Sequence, residues 1–219
     1  MRLMSMAVTA ALSLFAMPLA ASAQDCGDAE TPCPVDGGTY HMAMPAAEDA
    51  KGIVVHLHGA GAQSRGLLNS GLDVPVLLAG FSRGGSMVWD IACQVPDFAS
   101  AYAPLAGAFW DDLPEGCAAP VKLFHTHGWN DRTVPLEGRS FRDGAVVQGD
   151  VWASLKILRE TNGCDARQPE RNSFDGELWF RHWTDCRDGQ IQLMLHKGGH
   201  GAPAGWANRM LDWFEAGLS

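Results

Sequence analysis

Short apolar runs recur along the chain and predict the strands of a sheet. Most of these runs are rich in β-branched residues, leucine or aromatic residues, the composition typical of strands in a protein core. They lie at residues 52–57, 74–79, 100–105, 121–126, 178–183 and 191–196. Residues 39–44 predict a further, antiparallel strand ahead of them.

Between the runs, apolar residues recur at the spacing of helices. The three segments with this pattern are residues 85–93, 150–161 and 203–216. Asp150 is a favourable N-cap for the second, and Gly163 and Gly217 are stop signals for the second and third. Alternation of strand and helix predicts an α/β fold, in which helices cover both faces of a mostly parallel sheet.

The pentapeptide Gly80-Phe81-Ser82-Arg83-Gly84 joins a predicted strand to a predicted helix. A G-x-S-x-G turn in this context holds a serine in a strained, exposed position, and the N–H of the next residue faces a developing oxyanion. Ser82 is therefore the candidate nucleophile. Arg83 is the candidate donor of one oxyanion-hole N–H.

A serine nucleophile needs a general base and an acid that orients the base. In the α/β-hydrolase fold these follow the serine in the order acid, then histidine, each beyond a strand end. The run at 121–126 leads to Asp131 and the run at 191–196 leads to His200, so these are the candidate acid and base. Rival carboxylates lie away from predicted strand ends, and rival histidines lie within predicted strands: Asp111, Asp112, Asp143, Asp150, His182 and His196.

The first strand runs into His58-Gly59-Ala60-Gly61, which has the form of the oxyanion motif of lipases and esterases. We expect the Ala60 N–H to be the second oxyanion donor, with Gly61 as the alternative. Three tryptophans are candidates to line a substrate pocket, with core packing as the alternative for each: Trp110, Trp129 and Trp206.

Residues 1–23 predict an export signal. Arg2 is its only charged residue, an apolar stretch follows, and Ala21-Ser22-Ala23 forms an A-x-A cleavage site. Residues 24–219 are then expected to form a single secreted or periplasmic domain. The formal net charge of −9 argues against nucleic acid and anionic membranes as partners.

All six cysteines follow the predicted cleavage site. An even number in an exported chain predicts disulfides rather than metal ligation, but it leaves the pairing open. No C-x-x-C sequence supports a redox-active pair. The predicted chemistry uses no cofactor and no metal.

Several motifs recur here in a specific combination and order: Leu57-His58-Gly59, Gly80-Phe81-Ser82-Arg83-Gly84-Gly85-Ser86-Met87, Ala92-Cys93, Pro96-Asp97-Phe98, His127-Gly128-Trp129-Asn130-Asp131, Val134-Pro135, Asn162-Gly163-Cys164 and Gly198-Gly199-His200. From about residue 51 onward, the chain resembles the polyhydroxybutyrate depolymerase and feruloyl-esterase-like family of secreted α/β-hydrolases. The resemblance implies a carboxylesterase with Ser82 as nucleophile, Asp131 as acid and His200 as base. Its implied substrates are polyhydroxybutyrate-type oligoesters or feruloyl and acetyl esters. With chain order, it favours three disulfides: Cys26–Cys33, Cys93–Cys117 and Cys164–Cys186.

One connection departs from that family. Only residues 58–75 separate Leu57 from Val76, whereas the family fits two helices and a strand there. A single crossover needs about a dozen residues. We therefore expect one strand-helix unit to be missing, with the seam near 68–72, poor packing at 63–73 and exposed apolar sheet surface. The two flanking strands should still pair in parallel.

Two other functional classes remain open. A hydrolytic zinc site is one, because closely spaced histidines on extended segments can face one way, although Ser82 would then have no role. Its candidate ligands are His56, His58, His125, His127, Asp131 and His200. A catalytically impaired hydrolase-fold protein that only binds its ligand is the other, since a fold does not confer a function.

Overall fold

The computed structural model describes residues 31, 33–35, 38–40, 53–57, 75–164 and 167–218, which have an α/β fold. In chain order the strands are β1 (Cys33–Val35), β2 (Gly38–Tyr40), β3 (Ile53–Leu57), β4 (Val76–Phe81), β5 (Ala101–Leu105), β6 (Lys122–Gly128), β7 (Arg139–Phe141), β8 (Val146–Gln148), β9 (Arg171–Asp175), β10 (Leu178–Trp183) and β11 (Gln190–His196). The α-helices are α1 (Arg83–Gln94), α2 (Val151–Asn162) and α3 (Trp206–Ala216).

The main sheet has seven strands in the order β3-β4-β5-β6-β11-β10-β9. Neighbours from β3 to β11 pair in parallel, whereas β10 is antiparallel to both β11 and β9. The strands β1 and β2 form a separate antiparallel pair, and so do β7 and β8. The mostly parallel sheet predicted from the sequence is confirmed.

The strands β3 and β4 lie side by side in parallel, from Ile53 opposite Val76 to Leu57 opposite Gly80. This confirms the pairing expected across the short connection. Residues 58–74, which include the expected seam, lie outside the described residues, and so does the export signal at 1–23. Of the early strand predicted at 39–44, residues 39 and 40 belong to β2, and 41–44 are outside the described residues.

The core has one layer on each face of the sheet. Leu78 of β4 packs in the layer that contains Trp89 of α1 and Leu155 of α2. The next residue, Ala79, points the other way and packs in the layer with Phe214 of α3. Because side chains alternate along a strand, helices pack against both faces of the sheet, as the helix pattern predicts. At the edge of the sheet, Val54 of β3 is 45% exposed, which agrees with the apolar surface expected beside the short connection.

The helix ends largely follow their sequence signals. The Asp150 carboxylate accepts a hydrogen bond from the Ala153 N–H at 2.9 Å, and Gly163 ends α2 in the left-handed conformation at φ 66°. The helix α3 begins at Trp206 rather than at residue 203, because Gly205 immediately before it has a φ of 72°. Within the described residues, no helix is long and apolar enough to cross a membrane.

Two of the three predicted disulfides are confirmed. Cys93 bonds to Cys117, and Cys164 bonds to Cys186. Cys33 is disulfide-bonded as well, while Cys26, its predicted partner, lies outside the described residues.

Candidate active site

The candidate residues meet at one edge of the sheet. The parallel strands β4, β6 and β11 end at the same edge of the sheet, because Phe81 pairs with Leu105 of the intervening β5, Leu105 with Thr126, and Gly128 with His196. Ser82, Asp131 and His200 each follow one of these strand ends. The structure therefore brings together three side chains that are widely separated in the sequence.

Ser82 occupies a sharp turn between β4 and α1. Its φ of 57° and ψ of −119° lie in a region that residues with a side chain seldom adopt. Its N–H donates to the Leu105 carbonyl at 2.9 Å, which ties the turn to the neighbouring strand. A Cβ on Gly80 would lie 2.3 Å from the Gly84 carbonyl oxygen, so this close approach requires glycine at position 80.

A continuous hydrogen-bonded chain joins the three side chains. His200 Nδ1–H donates to Asp131 Oδ2 at 2.7 Å, and His200 Nε2 lies 2.9 Å from Ser82 Oγ. The other carboxylate oxygen, Asp131 Oδ1, accepts from the N–H groups of Thr133 and Val134, each at 2.8 Å. The Asp131 side chain is fully buried, whereas the His200 side chain is 18% exposed, so the carboxylate is fixed and the histidine can reach substrate.

Backbone contacts hold the loop carrying Asp131 against the loop carrying His200. The Trp129 N–H donates to the His196 carbonyl at 2.7 Å, and the Asn130 N–H donates to the Gly198 carbonyl at 3.0 Å. At Gly128, a Cβ would lie 2.1 Å from the backbone oxygen of Gly199. Glycine at position 128 therefore allows the two loops to approach closely enough for Asp131 to contact His200.

Two buried histidines lie behind the candidate acid. His125 Nδ1–H donates to the Pro104 carbonyl at 3.0 Å, and His127 Nε2–H donates to the Val134 carbonyl at 2.8 Å. His125 Nε2 faces His127 Nδ1 at 3.0 Å. A neutral imidazole carries only one N–H, and in each of these rings that N–H already donates to a backbone carbonyl. The two facing nitrogens are therefore both acceptors unless the pair binds a further proton. Burial lowers the pKa of both rings, which keeps that proton off at neutral pH.

This arrangement does not favour the zinc interpretation. Every ring nitrogen of His125 and His127 already lies within hydrogen-bonding distance of a protein atom. Across the part of the chain that the structure describes, no group of three or more histidine, cysteine, aspartate or glutamate side chains is arranged to hold a metal ion. The side chain of His56, and His58 as a whole, lie outside that part.

The remaining site predictions fall in different places. Arg83 is the first residue of α1, so its N–H next to Ser82 has no acceptor within the helix. Ala60 and Gly61, the predicted second donors, lie outside the described residues. Trp129 lies two residues before Asp131, and its side chain is 55% exposed. Its ring packs near the Trp179 ring, with the two centroids 6.4 Å apart.

The other two tryptophans have structural contacts. Trp110 packs against Phe141 of β7 at 6.4 Å between ring centroids, and it forms an isolated bridge with Gln148 of β8. Trp206 donates its indole N–H to Thr126 Oγ1 at 3.0 Å and packs in the α3 core layer. For Trp206, these contacts favour core packing over a place in a substrate pocket.

Two further rings contact the candidate base and acid. The Phe81 ring packs on the His200 ring with centroids 4.8 Å apart, and His127 Nε2 lies 3.5 Å from Asp131 Oδ2. Phe81 is a variable position of the serine motif, so its type carries no signal. The sequence grouped His127 with Asp131 only in the zinc alternative, although its place four residues before Asp131, at the end of the same strand, also indicates a contact with that carboxylate.

Comparisons with known proteins leave the family open. No protein-family model matches the chain, and no curated protein matches it. Among solved structures, it is similar to the protein Atu2452 of unknown function from Agrobacterium tumefaciens, with 16% identity and a TM-score of 0.39. That similarity covers 65% of this chain and 52% of Atu2452, so the chain spans about half the length of that structure.

Proposed function

We propose that the chain is a secreted or periplasmic serine carboxylesterase with an α/β-hydrolase fold. The observation that carries the proposal is the continuous contact from Asp131 through His200 to Ser82, at 2.7 and 2.9 Å, with the serine on a strained strand-to-helix turn. A nucleophile, a base and an orienting acid within hydrogen-bond reach are what acyl transfer requires. The predicted export signal and the two disulfides support the location.

The residues can divide the reaction into two steps. His200 Nε2 takes the proton of Ser82 Oγ as that oxygen attacks the ester carbonyl carbon, and the Arg83 N–H stabilises the resulting oxyanion. The imidazolium, stabilised by the buried Asp131, then protonates the departing alkoxide and leaves an acyl-serine. In the second step His200 removes a proton from water, the water oxygen attacks the acyl carbon, and the proton returns to Ser82 Oγ as the carboxylic acid leaves.

The substrates we propose are polyhydroxybutyrate-type oligoesters or feruloyl and acetyl esters, which follow from the family resemblance of the motifs. Of the candidate substrate-contact residues, Trp129 is the best placed, because it is exposed two residues from Asp131. Trp110, which packs against the β7 residue Phe141, is the weaker one.

Hydrolysis of p-nitrophenyl butyrate by the purified protein tests the proposal. We expect activity that survives EDTA and is abolished by Ser82→Ala, and we expect an organophosphonate to label Ser82. Ser140→Ala, an identical change at an exposed position of strand β7, is the matched control and should retain parent activity.

The alternatives give different outcomes in the same experiment. Loss of hydrolysis on EDTA treatment would favour the zinc interpretation, and full activity of Ser82→Ala would exclude Ser82 as the nucleophile. A folded protein with neither turnover nor organophosphonate labelling would favour the binding-only alternative.

A further inference from the structure

A cleft of about 1030 Å³ opens between α2 and β10, away from the candidate active site. None of Ser82, Asp131 and His200 lines it. Trp152 and Leu155 of α2 form one side, and Arg181 and Trp183 of β10 form the other. Sites for small organic molecules have volumes of about 300–1,000 Å³ and combine apolar walls with a few polar groups, so this cleft has suitable size and composition.

Arg181 is the most unusual residue in the cleft. Its guanidinium lies over the rings of Trp179 and Trp183, 5.4 and 5.1 Å from their centroids. Its Nε is buried without a hydrogen-bond partner, and no ion pair among the described residues includes Arg181. Burial lowers the pKa of this side chain. A partly buried cation with no ion-pair partner is unfavourable, so a negative group bound beside it would be stabilising.

A second cation strengthens the positive charge of the cleft. The Arg159 guanidinium lies 5.3 Å from the Trp183 ring centroid, and its pKa is lowered by burial and by repulsion from Arg181. Lys156 also lines the cleft, but its ammonium is paired with Glu160 at 3.0 Å. The two arginines therefore place like charges beside the same indole.

The walls of the cleft are held by covalent and core contacts. Cys164, which lines the cleft, is bonded to Cys186. Trp183 and Leu155 are each only 2% exposed and belong to the main core layer. Because these groups are fixed, a ligand would meet a preformed site.

We propose that this cleft binds a small organic anion with a flat apolar body, its negative group at Arg181 and its body along Trp152. Guanidinium groups bind planar carboxylates through two parallel N–H donors, and indole rings stack on flat apolar groups. The site is separate from the proposed ester chemistry and does not depend on it.

Calorimetric titration with 2-naphthoate, compared with its uncharged isostere 2-naphthamide, tests the proposal on the Ser82→Ala protein. We expect 1:1 binding of 2-naphthoate that is at least about tenfold weaker for Arg181→Gln, the scale of one charge-assisted hydrogen bond. Binding of 2-naphthamide should be weaker by a similar factor. Lys122→Gln, which removes one positive charge from an exposed position outside the cleft, should bind 2-naphthoate as its parent does.

Several outcomes would overturn the proposal. They are no heat of binding at millimolar 2-naphthoate, equal affinity for acid and amide, or equal weakening by Arg181→Gln and Lys122→Gln. If near-ultraviolet circular dichroism shows that Arg181→Gln does not fold, Trp152→Ala and the acid-amide comparison decide the question. Direct binding to a protein without the serine nucleophile leaves the result independent of whether the chain is an esterase.

Discussion

Replacement of Asp131 by asparagine should inactivate the proposed enzyme by forcing His200 into the wrong tautomer. The backbone N–H groups of Thr133 and Val134 both donate to Oδ1 of the aspartate, at 2.8 Å each. In the variant these donors select the amide oxygen for that position. The amide NH₂ then faces His200 Nδ1, which must become an acceptor, so the ring proton moves to Nε2 and faces Ser82 Oγ.

A histidine with its proton on Nε2 cannot accept the proton of Ser82. The opposite amide orientation places NH₂ against the two backbone donors in a fully buried site, which leaves both without an acceptor. Each unsatisfied buried donor costs about 1–3 kcal/mol, so the productive arrangement lies about 2–6 kcal/mol higher. That range corresponds to a loss of about 30-fold to 10⁴-fold, and loss of the charge facing the imidazolium adds to it.

The assay is steady-state hydrolysis of p-nitrophenyl butyrate, with organophosphonate titration to count competent sites. We expect kcat of Asp131→Asn to fall about 10³-fold to 10⁴-fold, and near-ultraviolet circular dichroism to stay that of the parent. Asp143→Asn makes the same chemical change at an exposed turn position and should leave kcat within about twofold, the range expected for a surface change. A variant that keeps more than about a tenth of the parent kcat would refute the tautomer argument.

Three further predictions concern the loops, a disulfide and the buried histidines. Gly128→Ala should abolish activity because its Cβ would displace the loop of His200, whereas Gly201→Ala, with nothing within 4 Å of the new Cβ, should retain it in the same ester assay. Serine at both Cys164 and Cys186, which are 22 positions apart, should lower the free energy of unfolding in urea by about 3 kcal/mol and leave the parent kcat; an unchanged urea midpoint would contradict this. Burial lowers the pKa of His125 in the folded protein below its ordinary value of 6.5. Below pH 6.5 the unfolded chain therefore binds a proton that the folded chain does not, and the free energy of unfolding falls by about 1.4 kcal/mol per pH unit. Urea unfolding at pH 7, 6 and 5 checks this, and His125→Asn should flatten the slope by that amount.

The sequence was sufficient for the parallel strands and for the positions of the candidate triad. Strand ends in a parallel sheet converge, so chain order alone places Asp131 and His200 near Ser82. The capping signals of α2 were equally local, since Asp150 and Gly163 act on backbone groups within a few residues. The helix ends depend on short-range chemistry, and the triad follows from a topological rule for parallel strands, so one sequence is enough for both.

Other features depend on contacts that the sequence does not display. The strand β9, Arg171–Asp175, is polar and mostly exposed, and it forms by pairing with β10 rather than by burying an apolar face. The short strands β7 and β8 are joined through Asp143, a non-glycine residue at φ 57°. The cleft was missed for a related reason, because Arg159 and Arg181 come from a helix and a strand that only tertiary packing brings together.

The backbone at Ser82 has a consequence for selection on this protein. Glycine adopts a φ of 57° and ψ of −119° far more readily than serine does, and residues held in such sparsely populated regions cost about 1–3 kcal/mol. Ser82→Gly should therefore melt at a higher temperature than the parent, while Ser82→Ala, which keeps a Cβ, should not gain in this way. A screen for heat resistance alone would favour glycine at position 82, and serine would persist there only while ester hydrolysis is selected too.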